Sequence, residues 1–345
     1  MRLILVGFGH VGRDLAKIIA EGFRDHFRVV AIVTGRHGSI IDPGGVDLNA
    51  VLHAGLGDMR PGQPTALEVI NTVQADTVVE LTTLNVYSGR PAMDHVEAAL
   101  RSGKHAVTAN KGPVAWGYER LAGLAKSVDR RFLFESTVMD GIPIFNLART
   151  GLRGCRLLSF RGILNSTSNF ILQKMEEGVQ NAQAVAAAQA MGFAEADPTL
   201  DVDGWDAAAK VAALANVLMG AGITPLGVER TGISDITAAD LAGARAKGQT
   251  IKLVCEAFGE GEGEGEGGGP EKRLIARVKP TLVPINSDFG RCNGVTSIVT
   301  FRTDLLGDFS VTEHEPVGLQ TAYGVLNDLL EITREEGPVW PKTRT

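Results

Sequence analysis

A glycine-rich hexapeptide directly after the first apolar run constrains the fold of this chain more than any other feature. Residues 3–6 have the pattern of a buried strand, and residues 14–19 have helical character. Between them lie Gly7, Phe8, Gly9, His10, Val11 and Gly12. The glycines allow a tight turn and a close backbone approach to a pyrophosphate, and the helix N-terminus supplies N–H donors. At the start of a strand–turn–helix unit, this pattern predicts a dinucleotide-binding loop.

The segment that follows alternates strands with helices. A helix is predicted over residues 93–100, and further strands over residues 29–33, 77–81, 105–108 and 132–135. Strands separated by helices indicate a parallel sheet covered on both faces. We therefore expect an α/β fold with a Rossmann-type, doubly wound parallel sheet in a nucleotide-binding domain over residues 1–147.

The second half of the chain has wider strand spacing. Strands are predicted over residues 157–164, 273–278 and 297–302, and helices over residues 183–191 and 207–219. This pattern favours a mixed sheet with helices on one side. We expect an α+β substrate and dimerisation domain over residues 148–315, and a helix over residues 316–335 that returns to the nucleotide domain.

Composition excludes several classes of partner. The 345 residues carry a formal charge of -6, which argues against a nucleic-acid partner because phosphates require a basic surface. Three distant cysteines form no disulfide framework or zinc spacing. No apolar run reaches the ~18 residues of a membrane span, and the first apolar run is too short for a signal-peptide core. We expect a cytoplasmic protein without a membrane partner.

One segment has no residues able to pack. Residues 259–269 contain only glycine and glutamate. Glycine entropy and repulsion between like charges predict a flexible surface loop, which we expect to join two strands of the second domain.

Two further features bear on the cofactor. The second strand is followed by Arg36 with no acidic residue before Asp42, and a guanidinium can pair with a 2′-phosphate in bidentate fashion. We therefore favour NADP over NAD. Thr82 and Thr83 lie past the end of the third parallel strand, where doubly wound sheets bind their ligands, and are expected to contact the cofactor.

Lysines and carboxylates provide the candidate chemistry. Lys111, in a predicted Gly-Pro turn at a strand end, can hold a carboxylate group or the cofactor. The acidic loop of residues 192–204 leads into an apolar helix in which Asp206 and Lys210 share one face. We expect these two residues, with the loop carboxylates Glu195 and Asp201, to point into one cleft. Burial is expected to lower the pKa of Lys210 toward the range of a general acid or base.

Calcium binding by the acidic loop is rejected. With Gly204 at the sixth position of an EF-hand loop, acidic residues would be required where Thr199 and Lys210 stand.

Four motifs together resemble homoserine dehydrogenase. They are Asn-Lys-Gly-Pro at 110–113, Glu-x-Thr-Val-x-x-Gly-Ile-Pro at 135–143, Gly-Ile-Leu-Asn-x-Thr-x-Asn-Phe at 162–170, and the run from Ala194 through Asp206 to Lys210. They occur in the family's order and cover roughly residues 1–219, with weaker similarity to about residue 331. The last run is nearly diagnostic of the family.

The resemblance implies a reaction and a set of roles. The reaction is the NAD(P)-dependent interconversion of homoserine and aspartate 4-semialdehyde in threonine and methionine biosynthesis, by a homodimer. Lys210 matches the proton donor and acceptor, Lys111 a second catalytic lysine that also contacts the cofactor, and Glu195 and Asp206 substrate-binding carboxylates. In some members a loop binds sodium through backbone carbonyls, and the matching residues are Glu135, Val138, Asp140 and Ile142.

The sequence also departs from the family pattern. Ser166 replaces a glycine, and residues 313–322 replace a glycine-rich turn that touches the cofactor, keeping Gly318 and Thr321-Ala322. Two alternatives therefore stay open: a non-catalytic NADP-binding sensor, and another Rossmann oxidoreductase that acylates a cysteine such as Cys155 while acting on a semialdehyde. With 345 residues, we expect neither an appended regulatory domain nor a fused kinase.

Overall fold

The computed structural model describes residues 1–55, 64–191, 197–259 and 273–333. Its first sheet has six strands in the order β3-β2-β1-β4-β5-β6. The strands are β1 Arg2–Val6, β2 Arg28–Thr34, β3 Gly38–Ile41, β4 Thr77–Glu80, β5 His105–Thr108 and β6 Phe132–Leu133. All neighbours pair in parallel except β2 and β3. The strand order reverses between β1 and β4, which creates the crevice in which such sheets bind their ligands.

Six helices belong to this half of the chain. They are α1 His10–Ile18, extended by a π turn over Ile19–Phe23, α2 Leu48–Ala54, α3 Ala66–Thr72, α4 Ala92–Arg101, α5 Lys111–Ser127 and α6 Ile144–Gly151. Leu3 and Leu5 pack with α1 in one apolar cluster, whereas Ile4 and Val6 belong to another with α4 and α5. Successive side chains of a strand point to opposite faces, so both faces of the sheet are covered. The predicted doubly wound sheet is confirmed.

The second sheet is mixed. Its strand order is β12-β11-β7-β9-β10-β8, from β7 Leu157–Ile163, β8 Glu229–Arg230, β9 Gln249–Gly259, β10 Leu274–Pro284, β11 Ser297–Thr303 and β12 Gly307–Glu313. Neighbours pair antiparallel except β8 and β10. The mixed sheet predicted for this half of the chain is confirmed.

Seven helices complete the described part of the chain. They are α7 Ser166–Glu176, α8 Asn181–Ala190, α9 Thr199–Val202, α10 Trp205–Met219, α11 Ala238–Arg245, α12 Asp288–Arg291 and α13 Gly318–Ile332. The apolar helix α10 is buried from Ala207 to Ala215 apart from Lys210, packing between α5 and the strands β9 and β10. It therefore connects the two sheets. None of the helices within the described ranges is long and apolar enough to span a bilayer.

The C-terminal helix α13 packs against α1. Its buried residues Ala322, Val325, Leu326 and Leu329 share an apolar cluster with Leu3, Leu5 and Leu15 of the first sheet and α1. The start of α13 therefore lies beside α1, the helix that follows the glycine-rich loop.

Two local predictions need correction, and a third falls outside the described residues. The strand expected over residues 132–135 ends at Leu133, and a 3-10 turn, Glu135–Thr137, follows because the Glu135 carboxylate accepts hydrogen bonds from the amides of Phe145 and Asn146. The Gly-Pro turn after β5 is instead the first turn of α5, capped by the Asn110 side chain. The segment 260–269 lies outside the described residues, and its flanking strands β9 and β10 form an antiparallel pair.

Candidate active site

Two lysines share one carboxylate where α5, α7 and α10 meet. The Asp206 carboxylate lies 3.1 Å from Nζ of Lys111 and 3.6 Å from Nζ of Lys210. Lys210 also donates a hydrogen bond of 2.6 Å to the Leu164 carbonyl oxygen. An ammonium group has three N–H donors, so Lys210 retains donor capacity for a further oxygen atom.

Asn165 joins a second carboxylate to this group. Its Nδ2 atom donates to Asp201 at 2.7 Å and to Asp206 at 3.1 Å, while its Oδ1 atom accepts from the Ser168 amide at 2.8 Å. In the sequence, Asn165 appears only as part of the motif at residues 162–170. It caps α7 and also orients both carboxylates, and the four hydrogen-bonding positions of an amide account for both roles.

Helix geometry explains how the charged side chains converge. Asp206 and Lys210 are four residues apart on α10, which places them on one helical face. Gly204 precedes this helix with φ of +79°, a left-handed conformation that suits glycine. Lys111 enters from the first turn of α5, where the Asn110 side chain accepts a hydrogen bond from the Gly112 amide. The side chains therefore come from rigid elements of both halves of the chain.

The pKa of Lys210 is shifted opposite to the prediction. Burial alone lowers this pKa, but Asp206, followed by Asp140 and other negative groups, more than offsets that effect, so the pKa of Lys210 is raised. Burial would likewise raise the pKa of Asp206, yet Lys111 and Lys210 hold it well below its usual range. The prediction of a lowered lysine pKa was wrong because it counted burial without the facing carboxylates. Lys210 is therefore an ammonium at neutral pH.

Asp201 is the weaker acid of the carboxylate pair. Burial and the neighbouring Asp206 charge raise the pKa of Asp201 to about 6, although the Asn165 hydrogen bond opposes this rise. The two carboxylates therefore differ in their affinity for a proton, and Asp206 carries the fixed negative charge of the site.

The glycine-rich loop has the geometry that an anion requires. Gly7 has φ of +98°, and a Cβ atom there would lie 2.6 Å from the Leu81 carbonyl oxygen. A Cβ atom at Gly12 would lie 2.9 Å from the Gly7 carbonyl oxygen. Gly9 caps α1 without a side-chain hydrogen bond, so within the described residues no side chain caps the first-turn amides. These amides form a potential phosphate-binding site.

A buried glutamate organises the neighbouring strand end. Glu80 accepts hydrogen bonds from the amide and hydroxyl of Thr82, and it lies 3.3 Å from His95 Nδ1. Asn110 donates a 2.8 Å hydrogen bond to the Thr82 carbonyl oxygen, which joins this network to Lys111. Thr83 is exposed beside it. Glu80 was not predicted as a site residue, because a carboxylate at the end of a strand is usually exposed to solvent.

The remaining candidate residues lie around this crevice. Arg36 is exposed in the tight hairpin that joins β2 and β3. Gly318 begins α13, and a Cβ atom there would lie 3.6 Å from an Asp14 carboxylate oxygen of α1. Asp140 has φ of +40° and accepts a 2.6 Å hydrogen bond from the Thr321 hydroxyl. Glu195 lies outside the described residues.

Two of the three cysteines are too deeply buried to act as nucleophiles. Burial raises the pKa of Cys255 to about 12 and that of Cys292 to about 11. A thiolate is the reactive form of cysteine, so these two residues are inert at neutral pH. Cys155 is partly exposed beside α6, apart from the lysine cluster.

The loop and cleft define a class of protein. A pyrophosphate loop at the switch point of a doubly wound sheet, facing a buried lysine paired with carboxylates, is typical of nicotinamide-dependent oxidoreductases. Two family models match the chain: "Homoserine dehydrogenase, NAD binding domain" over residues 7–135 and "Homoserine dehydrogenase" over residues 143–330. The chain belongs to the homoserine dehydrogenase family.

Individual relatives extend over nearly the whole chain. The homoserine dehydrogenase of Methanocaldococcus jannaschii is 38% identical, with 96% of this chain and 98% of that protein covered. An NAD(+)-dependent homoserine dehydrogenase of Pseudomonas canavaninivorans is 37% identical, with 96% of each chain covered. A hyperthermophilic archaeal homoserine dehydrogenase, solved in complex with NADPH, superposes with a TM-score of 0.78 at 29% identity, covering 96% of this chain and 97% of that one.

Family membership defines the reaction. The chain is an NAD(P)-dependent oxidoreductase that acts on a CH–OH group and interconverts L-homoserine and L-aspartate 4-semialdehyde in amino-acid biosynthesis. The alternatives of a non-catalytic sensor and of an acylating semialdehyde dehydrogenase are set aside.

Proposed function

We propose that Lys210 carries the proton of this reaction. The supporting observation is its ammonium group, only 15% exposed, held between the Leu164 carbonyl and the Asp206 carboxylate. During reduction of the semialdehyde, Lys210 donates a proton to the oxygen atom of the developing alkoxide. During oxidation of homoserine, neutral Lys210 accepts the hydroxyl proton. Because its pKa is raised, oxidation is expected to accelerate as the pH increases.

The other residues bind and orient the substrate. Lys111 is proposed to hold the substrate carboxylate, since its ammonium lies beside the same Asp206 that orients Lys210. Asp201 and Asp206, fixed by Asn165, are proposed to contact the polar groups of the substrate. Glu195 stays a predicted substrate contact. Positioning by rigid elements removes much of the entropy cost of bringing the reacting groups together.

NADP is proposed as the preferred cofactor. When bound, it exchanges a hydride with the substrate carbon. Gly7, Phe8, Gly9, His10, Val11 and Gly12 would hold the pyrophosphate, with Thr82, Thr83, Lys111 and Gly318 lining the nicotinamide side. Arg36 supports NADP because its exposed guanidinium lies in the hairpin after β2, where the adenosine ribose of a bound dinucleotide is expected. NADPH is bound by the archaeal relative, whereas the Pseudomonas relative is NAD(+)-dependent.

A monovalent cation is proposed on the loop between the domains. The carbonyl groups of Glu135, Val138, Asp140 and Ile142 would bind it. The left-handed conformation of Asp140 turns the backbone within this loop, which supports a concave arrangement of carbonyls. The Ile142 carbonyl already accepts a hydrogen bond from the Ile144 amide and keeps one lone pair for a cation. Activity in sodium, potassium and choline chloride at equal ionic strength tests this site.

A homodimer is proposed through the second sheet. The directly paired residues Arg161, Glu256 and Arg277 lie on one face of β7, β9 and β10, and the Arg161 side chain is 43% exposed there. A partly open sheet face of this kind suits a self-complementary contact about a two-fold axis. Light scattering after size-exclusion chromatography tests the dimer. The cytoplasmic location and the absence of nucleic-acid and membrane partners stay predictions from the sequence.

A spectrophotometric assay tests the reaction. Purified protein is mixed with L-homoserine and either NADP⁺ or NAD⁺, and the absorbance of the reduced nicotinamide is followed. We expect reduction that depends on homoserine, is faster with NADP⁺, and gives aspartate 4-semialdehyde as the product. Absence of reduction with both cofactors, in protein that binds NADPH, would contradict the proposed function.

A further inference from the structure

The last residue of β12, Glu313, is a buried carboxylate. Glu313 is only 2% exposed, and neither of its carboxylate oxygens accepts a hydrogen bond from any described residue. Buried polar groups nearly always have a hydrogen-bond partner, and an ionised carboxylate without one is costly. A hydrogen-bond donor on a bound ligand would pair with such a carboxylate.

Strand register locates Glu313 at the edge of the lysine cleft. It pairs with Ser297 of β11, whose hydroxyl lies 3.3 Å from the hydroxyl of Ser166. Ser166 directly follows Leu164 and Asn165, the residues that contact Lys210 and Asp206. Glu313 therefore lies at the end of the second sheet that borders the cleft of the two lysines.

The surroundings of Glu313 disfavour its ionised form, which a cationic ligand would stabilise. Burial, followed by the nearby Asp140 charge, raises the pKa of Glu313 to about 7, and Lys210 opposes this rise. Asp140 itself accepts a hydrogen bond from Thr321. Neither neighbour donates a hydrogen bond to Glu313 itself.

Charge counting points to the kind of ligand. The described residues of the cleft comprise two lysines and four carboxylates: Lys111, Lys210, Asp140, Asp201, Asp206 and Glu313. Asp206 is engaged by both lysines and by Asn165. Asp201 is bound by Asn165. Among the described residues of the cleft, Glu313 is thus the carboxylate with both oxygens available, in a site with excess negative charge.

We propose that Glu313 binds the α-ammonium group of the substrate and so selects α-amino acids over amino-free hydroxy acids. In homoserine the ammonium lies two carbons from the carbon that carries the hydroxyl group. A carboxylate within electrostatic range of Lys210 is therefore suitably placed to bind it. This assignment rests on the proposed function, with Lys210 at the substrate oxygen, and adds a specificity-determining residue to it.

The test compares Glu313→Gln with Glu119→Gln, a matched change at an exposed position on α5. At saturating cofactor, three constants are measured: KM for L-homoserine, and the competitive inhibition constants of L-2-aminobutanoate and 4-hydroxybutanoate. Loss of a charge-assisted hydrogen bond typically weakens binding by about 10- to 100-fold. For Glu313→Gln we expect such a rise in KM and in the 2-aminobutanoate constant. The constant for 4-hydroxybutanoate, which has no ammonium, should change less than about threefold on the same reasoning.

Folding and cofactor controls accompany these constants. We expect Glu313→Gln to unfold at the same or a higher temperature than wild type, because an unpaired buried charge is removed. A second variant, Glu313→Asp, keeps the charge and should give an intermediate KM. KM for the cofactor should not change in any variant.

Three results would overturn the assignment. They are equal weakening of both inhibitors, a rise in the cofactor KM with that of homoserine unchanged, and wild-type constants in Glu313→Gln. If the wild-type protein turns over homoserine and Glu313→Gln has wild-type constants, only this inference is refuted. Wild-type protein without turnover refutes the proposed function instead.

Discussion

Replacing Asp206 with asparagine should move the pH dependence of the reaction by several units. Asp206 lies 3.6 Å from the ammonium of Lys210. With an effective dielectric constant of about 20, this pair is worth about 4–5 kcal/mol, or about three pKa units. Asp140 and Asp201 remain in the variant and keep part of the effect. We therefore expect the pKa of Lys210 to fall by about 2–3 units.

The lowered pKa of Lys210 has opposite effects on the rates of the two directions of the reaction. Oxidation of homoserine requires neutral Lys210, so log kcat/KM rises with pH until the pKa of the lysine is reached. In wild type this rise should continue to the alkaline limit of the assay, because the pKa of Lys210 is raised. In Asp206→Asn the plateau should begin about 2–3 pH units lower. Reduction of the semialdehyde requires the ammonium form and should decline from correspondingly lower pH.

The assay follows nicotinamide absorbance from pH 6 to 11 in both directions. Asp203→Asn, on the same acidic loop with its carboxylate bound by Ser234, is the matched control and should retain the wild-type profile. Because the test is whether a plateau appears within the assay range, and not how high the profile is, a loss of substrate contacts does not affect the result. An Asp206→Asn profile that superposes on wild type would refute the coupling between Asp206 and Lys210.

Two further predictions concern the cofactor and the thiols. Arg36→Ala should raise KM for NADP⁺ by about 10- to 100-fold, the usual effect of losing a hydrogen bond to a charged group, and leave KM for NAD⁺ unchanged; equal effects on both cofactors would show that Arg36 does not contact the phosphate. Treatment with iodoacetamide near neutral pH should modify the partly exposed Cys155 but not Cys255 or Cys292, and homoserine oxidation should continue. Loss of activity in proportion to alkylation, with mass spectrometry identifying the site, would contradict a mechanism without a cysteine nucleophile.

The sequence was sufficient to predict the features whose physical cause is local. The loop from Gly7 to Gly12 follows a buried strand directly, so the turn, the helix start and the parallel sheet were predicted together. Asp206 and Lys210 are four residues apart on an apolar helix, and their shared face follows from helix geometry. Both features could be predicted from a few residues that are close together in the sequence.

Features that depend on tertiary neighbours were missed. Strand β9 did not read as a strand because Lys252 and Glu256 interrupt its apolar pattern. These side chains are buried only because Asn169 receives a hydrogen bond from Lys252 and Arg277 pairs with Glu256. Helix α5 was not predicted, because the Gly-Pro pair in its first turn indicated a tight turn instead.

Two properties of the candidate site also depend on tertiary neighbours. After Asp206, the next largest cause that raises the pKa of Lys210 is Asp140, which lies 70 positions earlier in the chain. The double role of Asn165 depends on Asp201 and Asp206 facing its amide. No local pattern contains these contacts, so the sequence predicted which charged residues lie together more accurately than it predicted their electrostatics.

The central claim is that the amine of Lys210 transfers the proton. The most direct measurement is single-turnover reduction of aspartate 4-semialdehyde by Lys210→Ala, together with NADPH affinity from fluorescence. Lys174→Ala, a lysine on the outer part of α7 paired with Glu177, is the control. We expect the rate in Lys210→Ala to fall by about 10²- to 10⁴-fold, the usual contribution of general acid catalysis, with NADPH affinity and Lys174→Ala unchanged. A Lys210→Ala rate close to that of wild type would contradict the account.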